Sequence, residues 1–424
     1  MTENAIYDVW LQQSLGEGNR KAPLLIDYFG SSRAVYDADE HERKLSGILV
    51  PKELARLSDT PLDMAAEILE ACKRLGYNVI TCEDENYPDR LRNIPDYPLA
   101  LYILGKFPDI DDEVCIAMVG TRRATRYGYT TATAIAKDLA ACGAIVVSGC
   151  ARGIDTAAHQ GSLLSGGKTL AVLGCGINTP YNMENEGLRK VISTSGALIS
   201  EYPPGSPPLG YHFPVRNRII SALSLGVIVV EAGAKSGSLI TANIALEQGK
   251  DIFSVPGEIS SYQAKGTNRL IFDGAIPIEK AGDVLEMYVQ KFPHRLKSNN
   301  LQDKNSRVYE KHVRPKWDKE ALAAENAAHV PKAPEAGNVS SAKPQKATPK
   351  QTADRLPEPA ETAPPIGMSE SAQKVWKALT AAPKHFQDLL AELNMDSAEL
   401  SRSITELELY ASIRTLPGNK YSRG

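Results

Sequence analysis

The stretch "AIVVSGCARGIDTAAHQGS", residues 144–162, decides the fold of this 424-residue chain. Its apolar, β-branched run leads into a turn that contains glycine, and an alanine-rich run at helical spacing follows. A turn of this kind exposes free backbone amides at a helix N-terminus, where phosphate groups bind readily. The stretch therefore predicts a strand–turn–helix unit with an anion site at its turn.

Similar units repeat between residues 114 and 290, where short apolar runs alternate with helical stretches. The runs are "VCIAMVG", "AIVVSG", "TLAVLG", "ALISEY", "GVIVVEA" and "DIFSVPG". Consecutive parallel strands need a crossover, so this alternation is typical of a parallel sheet covered on both faces. We predict an α/β fold with a doubly wound, mostly parallel, Rossmann-like sheet.

Four turns of this sheet are rich in glycine and in basic or hydroxyl residues. They are "VGTRRAT" (119–125), "SGCARGID" (148–155), "LGCGINTPYN" (173–182) and "EAGAKSGSLITAN" (231–243). The carboxyl ends of parallel strands share one edge, so we expect the four turns to open onto one crevice. Their glycines let the backbone approach an anion, and their basic side chains supply positive charge.

The segment "GYHFPVRNRIISALS", residues 210–224, is expected at the same edge. It combines the ring of Phe213 with the basic side chains of Arg216 and Arg218. A ring and guanidinium groups together hold single-stranded nucleic acid by base stacking and phosphate contacts. In the alternative interpretation, Phe213 and Pro214 form a hydrophobic staple while one of these arginines pairs with an acid.

The sequence contains no recognisable catalytic or cofactor motif. Both the G-x-G-x-x-G fingerprint and the P-loop are missing. His159 lies in an alanine-rich helix, where we expect a packed or solvent-facing side chain, and Asp155 is expected to cap that helix. Glu201 and Glu231 end separate strands, and pairing with the crevice arginines is the preferred account of both. We predict no catalytic residue, no metal and no cofactor.

Charge and cysteine usage narrow the class of protein further. A net charge of −3 argues against an indiscriminately cationic surface, so any polyanion site must be local. The six cysteines form no C-x-x-C pair, which argues against a disulfide framework and a zinc site. Without a long apolar run or a signal-peptide pattern, the expected location is the cytoplasm, with no membrane partner.

The chain is expected to divide into four regions. Residues 1–78 predict a small helical domain, whose stretch 14–31 resembles a helix-hairpin-helix or SAM-like unit. Its glycine hairpin either offers amides to a phosphate or is a plain helix–helix turn. Residues 79–292 form the Rossmann-like domain, the proline- and alanine-rich residues 293–365 a disordered linker, and residues 366–424 a C-terminal domain.

The motifs taken together resemble the DprA/Smf family of bacterial DNA-processing proteins. In the family's order they are "VGTRRAT", "SGCARGIDTAAHQGSL", "AVLGCGIN", "SEYPPG", "FPVRNRIISALS", "KSGSLITANIALEQG", "VPGE" and "GTNRLIFDGA". The stretch 87–106 resembles the lead-in that extends the family's Rossmann domain. The resemblance implies a protein that binds and protects single-stranded DNA and helps load the RecA recombinase during natural transformation. It also implies a homodimer formed through the Rossmann-like domain, with single-strand-binding protein as a further partner.

The resemblance also places the family's phosphate-binding motifs on this chain. Together with the residues found above, the predicted DNA phosphate-binding set is Gly120, Thr121, Arg122, Arg123, Ser148, Gly149, Arg152, Gly153, Arg216, Asn217, Arg218, Lys235, Ser236, Gly237 and Ser238. Phe213 is the predicted base-stacking residue. The chain departs from the family at Cys150, where leucine or glycine is commoner, and at Asn182, where the family has proline.

Residues 366–424 resemble the winged-helix domain found at this end of many family members. Ala398, Leu400, Ile404 and Leu407 are its expected core positions. The presumed recognition helix, "DSAELSRSITELELY" (396–410), carries four acids and one arginine. That is the wrong sign for reading a major groove, so we prefer a protein-contact or self-association role.

Two functions from different classes follow. The first is a non-enzymatic mediator that grips single-stranded DNA. The second is a nucleotide-binding or nucleoside-monophosphate-processing Rossmann-like enzyme, because related proteins use a G-G-x-G-T-x-x-E loop. In this chain the corresponding stretch is 237–241, and Thr241 stands where the catalytic glutamate would be.

Overall fold

The computed structural model describes residues 4–296 and, with gaps at 381, 394, 410–412 and 417–419, residues 369–423. The chain divides into two compact units, residues 1–328 and 329–424. Within the described ranges, every helix is too short or too polar to span a lipid bilayer.

Six helices occupy the chain before the first strand. They are α1 (Ala5–Leu15), α2 (Lys21–Phe29), α3 (Ser32–Asp37), α4 (Glu40–Leu45), α5 (Pro51–Asp59) and α6 (Leu62–Leu75). Capping residues in the sequence fix several of their ends. The Ser31 hydroxyl accepts a bond from the Ala34 amide at the start of α3, and Asp39 and Glu42 form a capping box on α4. Gly30 ends α2 in the left-handed conformation.

A nine-stranded sheet forms the centre of the first unit. Its strands are β1 (Asn78–Thr81), β2 (Ala100–Gly105), β3 (Cys115–Val119), β4 (Ile145–Ser148), β5 (Thr169–Leu173), β6 (Ala197–Ser200), β7 (Gly226–Val229), β8 (Asp251–Ser254) and β9 (Ile276–Pro277). The spatial order is β1-β2-β6-β5-β4-β3-β7-β8-β9. Strands β3 to β9 run parallel, and β1 and β2 extend one side with antiparallel pairing. The prediction of a doubly wound, mostly parallel sheet is confirmed.

Helices cover both faces of this sheet. They are α7 (Asp89–Arg92), α8 (Arg126–Ala141), α9 (Ile154–Leu164), α10 (Glu186–Ser195), α11 (His212–Ala222), α12 (Gly237–Glu247), α13 (Lys265–Phe272) and α14 (Ala281–Leu285). Alternate residues of β3 show the two layers. Ile116 and Met118 pack into the apolar cluster that holds α8, α9 and α14, whereas Ala117 packs into the cluster that holds α11 and α12.

The N-terminal helices share an apolar core with the sheet. Trp10 of α1 belongs to the same cluster as Leu101 of β2. The Gln12 side chain donates to the carbonyl oxygens of Ala100 and Glu201, at 3.1 and 3.0 Å, and accepts a bond from the Ala100 amide. These contacts fasten α1 to the sheet, and the domain boundary after residue 78 stays a prediction.

The predicted linker begins within the described part of the chain. Leu296 is still buried against the apolar cluster of α8 and α14. Residues 297–365 lie outside the described residues, and so the linker's disorder stays a prediction.

The second unit has the three helices and the small sheet of a winged-helix domain. Its elements are α15 (Glu370–Ala378), β10 (Lys384–His385), α16 (Phe386–Leu393), α17 (Ser397–Leu409), β11 (Ile413–Leu416) and β12 (Lys420–Arg423), with strand order β10-β12-β11. Leu400, Ile404 and Leu407 are buried in its core as predicted. The side chain of Ala398 and the wing residues 417–419 lie outside the described part.

Candidate nucleic-acid interface

A cavity of about 410 Å³ opens at the carboxyl edge of the sheet. The turn after β3, the turn after β4, helix α11 and the first turn of α12 line it together. Its lining includes these predicted residues: Gly120, Arg122, Phe213, Arg216, Asn217, Ser236, Gly237 and Ser238. We call this cavity and its rim the groove. Three of the four predicted turns therefore meet at one site.

Three exposed basic side chains lie on the turns that form the groove, and Arg122 among them lines the cavity itself. Arg122, Arg123 and Lys235 are exposed, and they join none of the ion pairs formed by the described residues. The Arg122 guanidinium lies 5.4 Å from the centre of the Phe213 ring. The Phe213 ring is half-buried, and a cation at this distance from its face is attracted to the ring. This pairing offers a phosphate contact beside a stacking surface.

Arg216 forms the floor of the groove. Its side chain is buried, and its guanidinium donates to the carbonyl oxygen of Gly149 at 2.9 Å and to that of Val172. Burial lowers the pKa of Arg216, and the neighbouring Asp155 works against that shift. Arg216 lies 6.0 Å from the Phe213 ring. It therefore supplies positive charge beneath the ring while holding the ends of β4 and β5.

Asp155 does not cap its helix, contrary to our prediction. Gly153 occupies the N-cap position of α9 with φ +80°, and a Cβ there would lie 2.3 Å from the Thr121 carbonyl oxygen. The Asp155 carboxylate instead accepts bonds from the amides of Gly149 and Ala151, at 3.1 and 3.3 Å. Burial raises the pKa of Asp155, and Arg216 opposes this. The Gly149 amide is thus already bonded within the protein.

The first turn of α12 forms the opposite wall. Ser236 is its N-cap, and the Ser236 hydroxyl accepts a bond from the Ser238 amide at 3.4 Å. Gly237 faces open space, since an added Cβ would meet nothing within 4 Å. The positive end of the helix dipole therefore points into the groove beside the exposed Lys235.

Several predicted residues lie outside this cavity or have other partners. The Ser148 hydroxyl is buried and donates to the Met118 carbonyl oxygen at 2.6 Å. Arg152 is exposed, and it pairs with Glu184 at 2.9 Å. Thr121 donates its amide to the Glu231 carbonyl oxygen. These residues shape the turns around the groove.

Arg218 points away from the groove. It is 4% exposed, and its Nη2 donates to Glu201 Oε1 at 2.6 Å. The predicted pairing of Glu201 with an arginine is therefore confirmed, although that arginine lies in the interior. Glu231 differs from the prediction, because its carboxylate accepts bonds from the amide and hydroxyl of Thr125 at the start of α8.

The fourth turn, residues 173–182, lies on the far side of Phe213. The Tyr181 and Phe213 rings are 5.0 Å apart, and Tyr181 also lines a separate cavity of about 350 Å³. The sequence analysis did not predict Tyr181 as a stacking residue. Its position in one of the four glycine-rich turns is the only feature of the sequence that points to it. Asn182 has φ +52°, which proline cannot adopt, so the departure from the family's proline changes this turn. Cys150 is likewise left-handed at φ +55°.

The histidine of α9 lies in the protein interior. His159 is fully buried, with Nδ1 2.7 Å from the Thr169 hydroxyl, and burial lowers the pKa of His159 to about 3. Its packed position agrees with the prediction. Among the described residues, no group of three or more His, Cys, Asp or Glu side chains is placed to hold a metal ion.

Comparison with known proteins gives the family. The family model described as DNA recombination-mediator protein A matches residues 78–289, half of the chain. The chain belongs to this family. A second model, the DprA winged helix domain, matches residues 357–419. The resemblance to DprA/Smf proteins seen in the sequence is thereby confirmed.

Individual relatives agree with this assignment. Protein Smf of Escherichia coli (strain K12) is 42% identical over 212 residues, which span 50% of this chain but only 56% of that protein. DNA processing protein DprA of Bacillus subtilis (strain 168) is 41% identical over 219 residues, 52% of this chain and 74% of the relative. The X-ray structure of DNA processing protein A (DprA) from Streptococcus pneumoniae superimposes with a TM-score of 0.59 at 33% identity. It covers 66% of this chain and 97% of that chain.

Proposed function

We propose that the groove binds the sugar-phosphate chain of single-stranded DNA and that the protein acts on DNA as a mediator without breaking bonds. The main support for single-strand binding is the Arg122 guanidinium, which forms no ion pair with a described residue and lies 5.4 Å from the centre of the half-buried Phe213 ring. A phosphate at Arg122 leaves the adjoining base beside the ring, where stacking contributes about 1–3 kcal/mol per base whatever its identity.

The groove favours a single strand because its stacking surface needs an unpaired base. Positive charge comes from Arg122 and the first turn of α12, which line the cavity, and from the exposed Lys235 just before that turn. Contacts to phosphates carry no sequence information. Binding is therefore tolerant of sequence, and it weakens steeply with salt because each neutralised phosphate releases a counterion.

Further partners follow from the family. We propose that the strand held in the groove is passed to the RecA recombinase, with a homodimer presenting two grooves and single-strand-binding protein nearby. We also propose that the protein acts in the cytoplasm. In the second unit, the Glu399 side chain accepts a hydrogen bond from the Ser371 hydroxyl, and the Glu406 side chain accepts bonds from the Ser369 amide and hydroxyl. Two of the four acids of the presumed recognition helix therefore form hydrogen bonds within the winged-helix domain itself. We keep a protein-contact or self-association role for this unit.

The nucleoside-monophosphate enzyme is the second candidate. It is favoured by the open first turn of α12, residues 237–241, which matches the position of a nucleotide-binding loop. Against it, the one carboxylate that lines the described groove is Asp155, which is already bonded by two amides. Release of free base from nucleoside monophosphates would establish the enzyme.

A calorimetric titration with oligonucleotides of increasing length tests the proposal. We expect affinity to rise with length until the groove is filled, and then to level off at a fixed site size. Binding that is equal for a mononucleotide and a long strand would favour the enzyme instead.

A further inference from the structure

We propose that the hairpin between α1 and α2 positions the groove helix α11, so that residues remote from the groove set its affinity for a single strand. The inference rests on the proposed function. It gives a role to residues 16–20, which lie outside the family-matched region 78–289.

One buried carboxylate oxygen joins the hairpin to α11. Glu201 Oε1 accepts the Gly18 amide at 3.1 Å and Arg218 Nη2 at 2.6 Å. Glu201 and Arg218 are 1% and 4% exposed. Buried ion pairs of this kind specify one arrangement, since losing either partner leaves a charge without compensation. The hairpin backbone and α11 are thus tied through a single group.

The hairpin also touches α11 directly. A Cβ built on Gly18 would lie 2.5 Å from Val215 Cγ1, so only a bare backbone fits between the two. Val215 lies on α11 between Phe213 and Arg216, which face the groove. Any outward push at Val215 therefore displaces the residues that hold the strand.

The opposite face of α11 is fixed as well. Arg216 donates to the carbonyl oxygens of Gly149 and Val172 at the ends of β4 and β5. The helix is therefore clamped between the sheet edge on one side and the hairpin on the other. A small shift changes the spacing of the Phe213 ring from Arg122, and such shifts alter binding at a coupled site.

The test compares two glycine substitutions in the full-length protein. Gly18 and Gly30 have φ values of +71° and +94°, so alanine strains the backbone at either position, but only the Gly18 methyl group meets α11. We expect Gly18→Ala to weaken binding of a labelled oligo-dT strand by about fivefold. Gly30→Ala should bind as the wild type does, although urea unfolding should show a stability loss from backbone strain in both variants.

Two further variants separate the effect of the contact between residues 18 and 215 from the effect of backbone strain at residue 18. Val215→Ala removes the methyl group that Gly18→Ala would strike, so the double variant should recover wild-type affinity while keeping the stability loss from backbone strain at residue 18. If Gly18→Ala does not fold, Val215→Ile replaces it, since the added carbon presses on the same contact from α11 and should also weaken binding.

The outcomes distinguish this inference from the proposed function. If the wild-type protein does not bind the strand, the proposed function fails and the positioning role fails with it. If the wild type binds while Gly18→Ala matches Gly30→Ala, or while the double variant stays weak, the positioning role alone is overturned.

Discussion

Arg218 and Glu201 form a buried ion pair, with Nη2 and Oε1 2.6 Å apart, between the groove helix and the end of β6. Side chains in the segment 213–218 of α11 therefore point in two directions. Phe213 and Arg216 face the groove, whereas Arg218 serves the interior. Burial raises the pKa of Glu201, and Arg218 works against that rise.

Removing Arg218 should destabilise the protein strongly. Arg218→Met leaves Glu201 buried with the Gly18 amide as its remaining donor, and breaking such a pair costs about 3–5 kcal/mol of the free energy of unfolding. The control is Arg33→Met, which breaks an exposed pair with Asp37 at 3.6 Å and should cost about 0–1 kcal/mol. Urea unfolding measures both, and equal losses would contradict the structural role of Arg218.

An acid at the mouth of the groove should weaken DNA binding without harming the fold. Gly237 stands at the start of α12, and a side chain there meets nothing within 4 Å. Gly237→Asp places a negative charge where the phosphate is expected, and we predict about a tenfold loss of affinity. The matched control is Gly187→Asp, in the first turn of α10 and equally open. Similar affinities for the two variants would argue against the first turn of α12 as a phosphate contact.

The buried carboxyl of Asp8 should make stability depend on pH. Its Oδ1 lies 2.5 Å from the Ser32 hydroxyl, its Oδ2 has no hydrogen-bond partner, and burial raises the pKa of Asp8 from 3.8 to about 7. Between these values the folded protein holds a proton that the unfolded chain has lost. The free energy of unfolding therefore falls as pH rises, by about 1.4 kcal/mol per pH unit from this group.

The variant Asp8→Asn isolates this contribution. His159 has the opposite pH dependence, because burial lowers its pKa to about 3, but His159 is present in both proteins. We expect the stability of Asp8→Asn relative to the wild type to increase by a few kcal/mol between about pH 4 and pH 7. Urea unfolding across this range measures it, and a difference that stays constant with pH would refute a raised pKa at Asp8.

The sequence predicts a doubly wound, mostly parallel sheet and most of the groove, because these follow from local patterns. Apolar runs give the strands, and parallel strands must bring the turns that follow them to one edge. Arg122 and Phe213 were found in this way.

Hydrogen-bond and ion-pair partners that are distant in the sequence could not be predicted. Asp155 precedes helical residues and looks like a cap, yet the turn after β4 folds back so that its carboxylate takes the Gly149 and Ala151 amides. Arg218 follows Asn217 directly, and only the helical turn of α11 separates a groove-facing side chain from an interior one. Its partner Glu201 follows β6 and is 17 residues away in the sequence, and no short motif encodes that contact.

The central claim is that free guanidinium and ammonium groups at the groove hold a single strand. Fluorescence anisotropy with labelled single-stranded and duplex DNA, at low and high salt, tests it on the wild type and on Arg122→Glu/Lys235→Glu. The control is Arg33→Glu/Lys73→Glu, which makes the same change of net charge on the N-terminal helices. We predict that the wild type and the control prefer the single strand and that the groove variant loses at least about tenfold in affinity with a shallower salt dependence. Wild-type affinity in the groove variant, or an equal preference for duplex DNA in the wild type, would contradict the account.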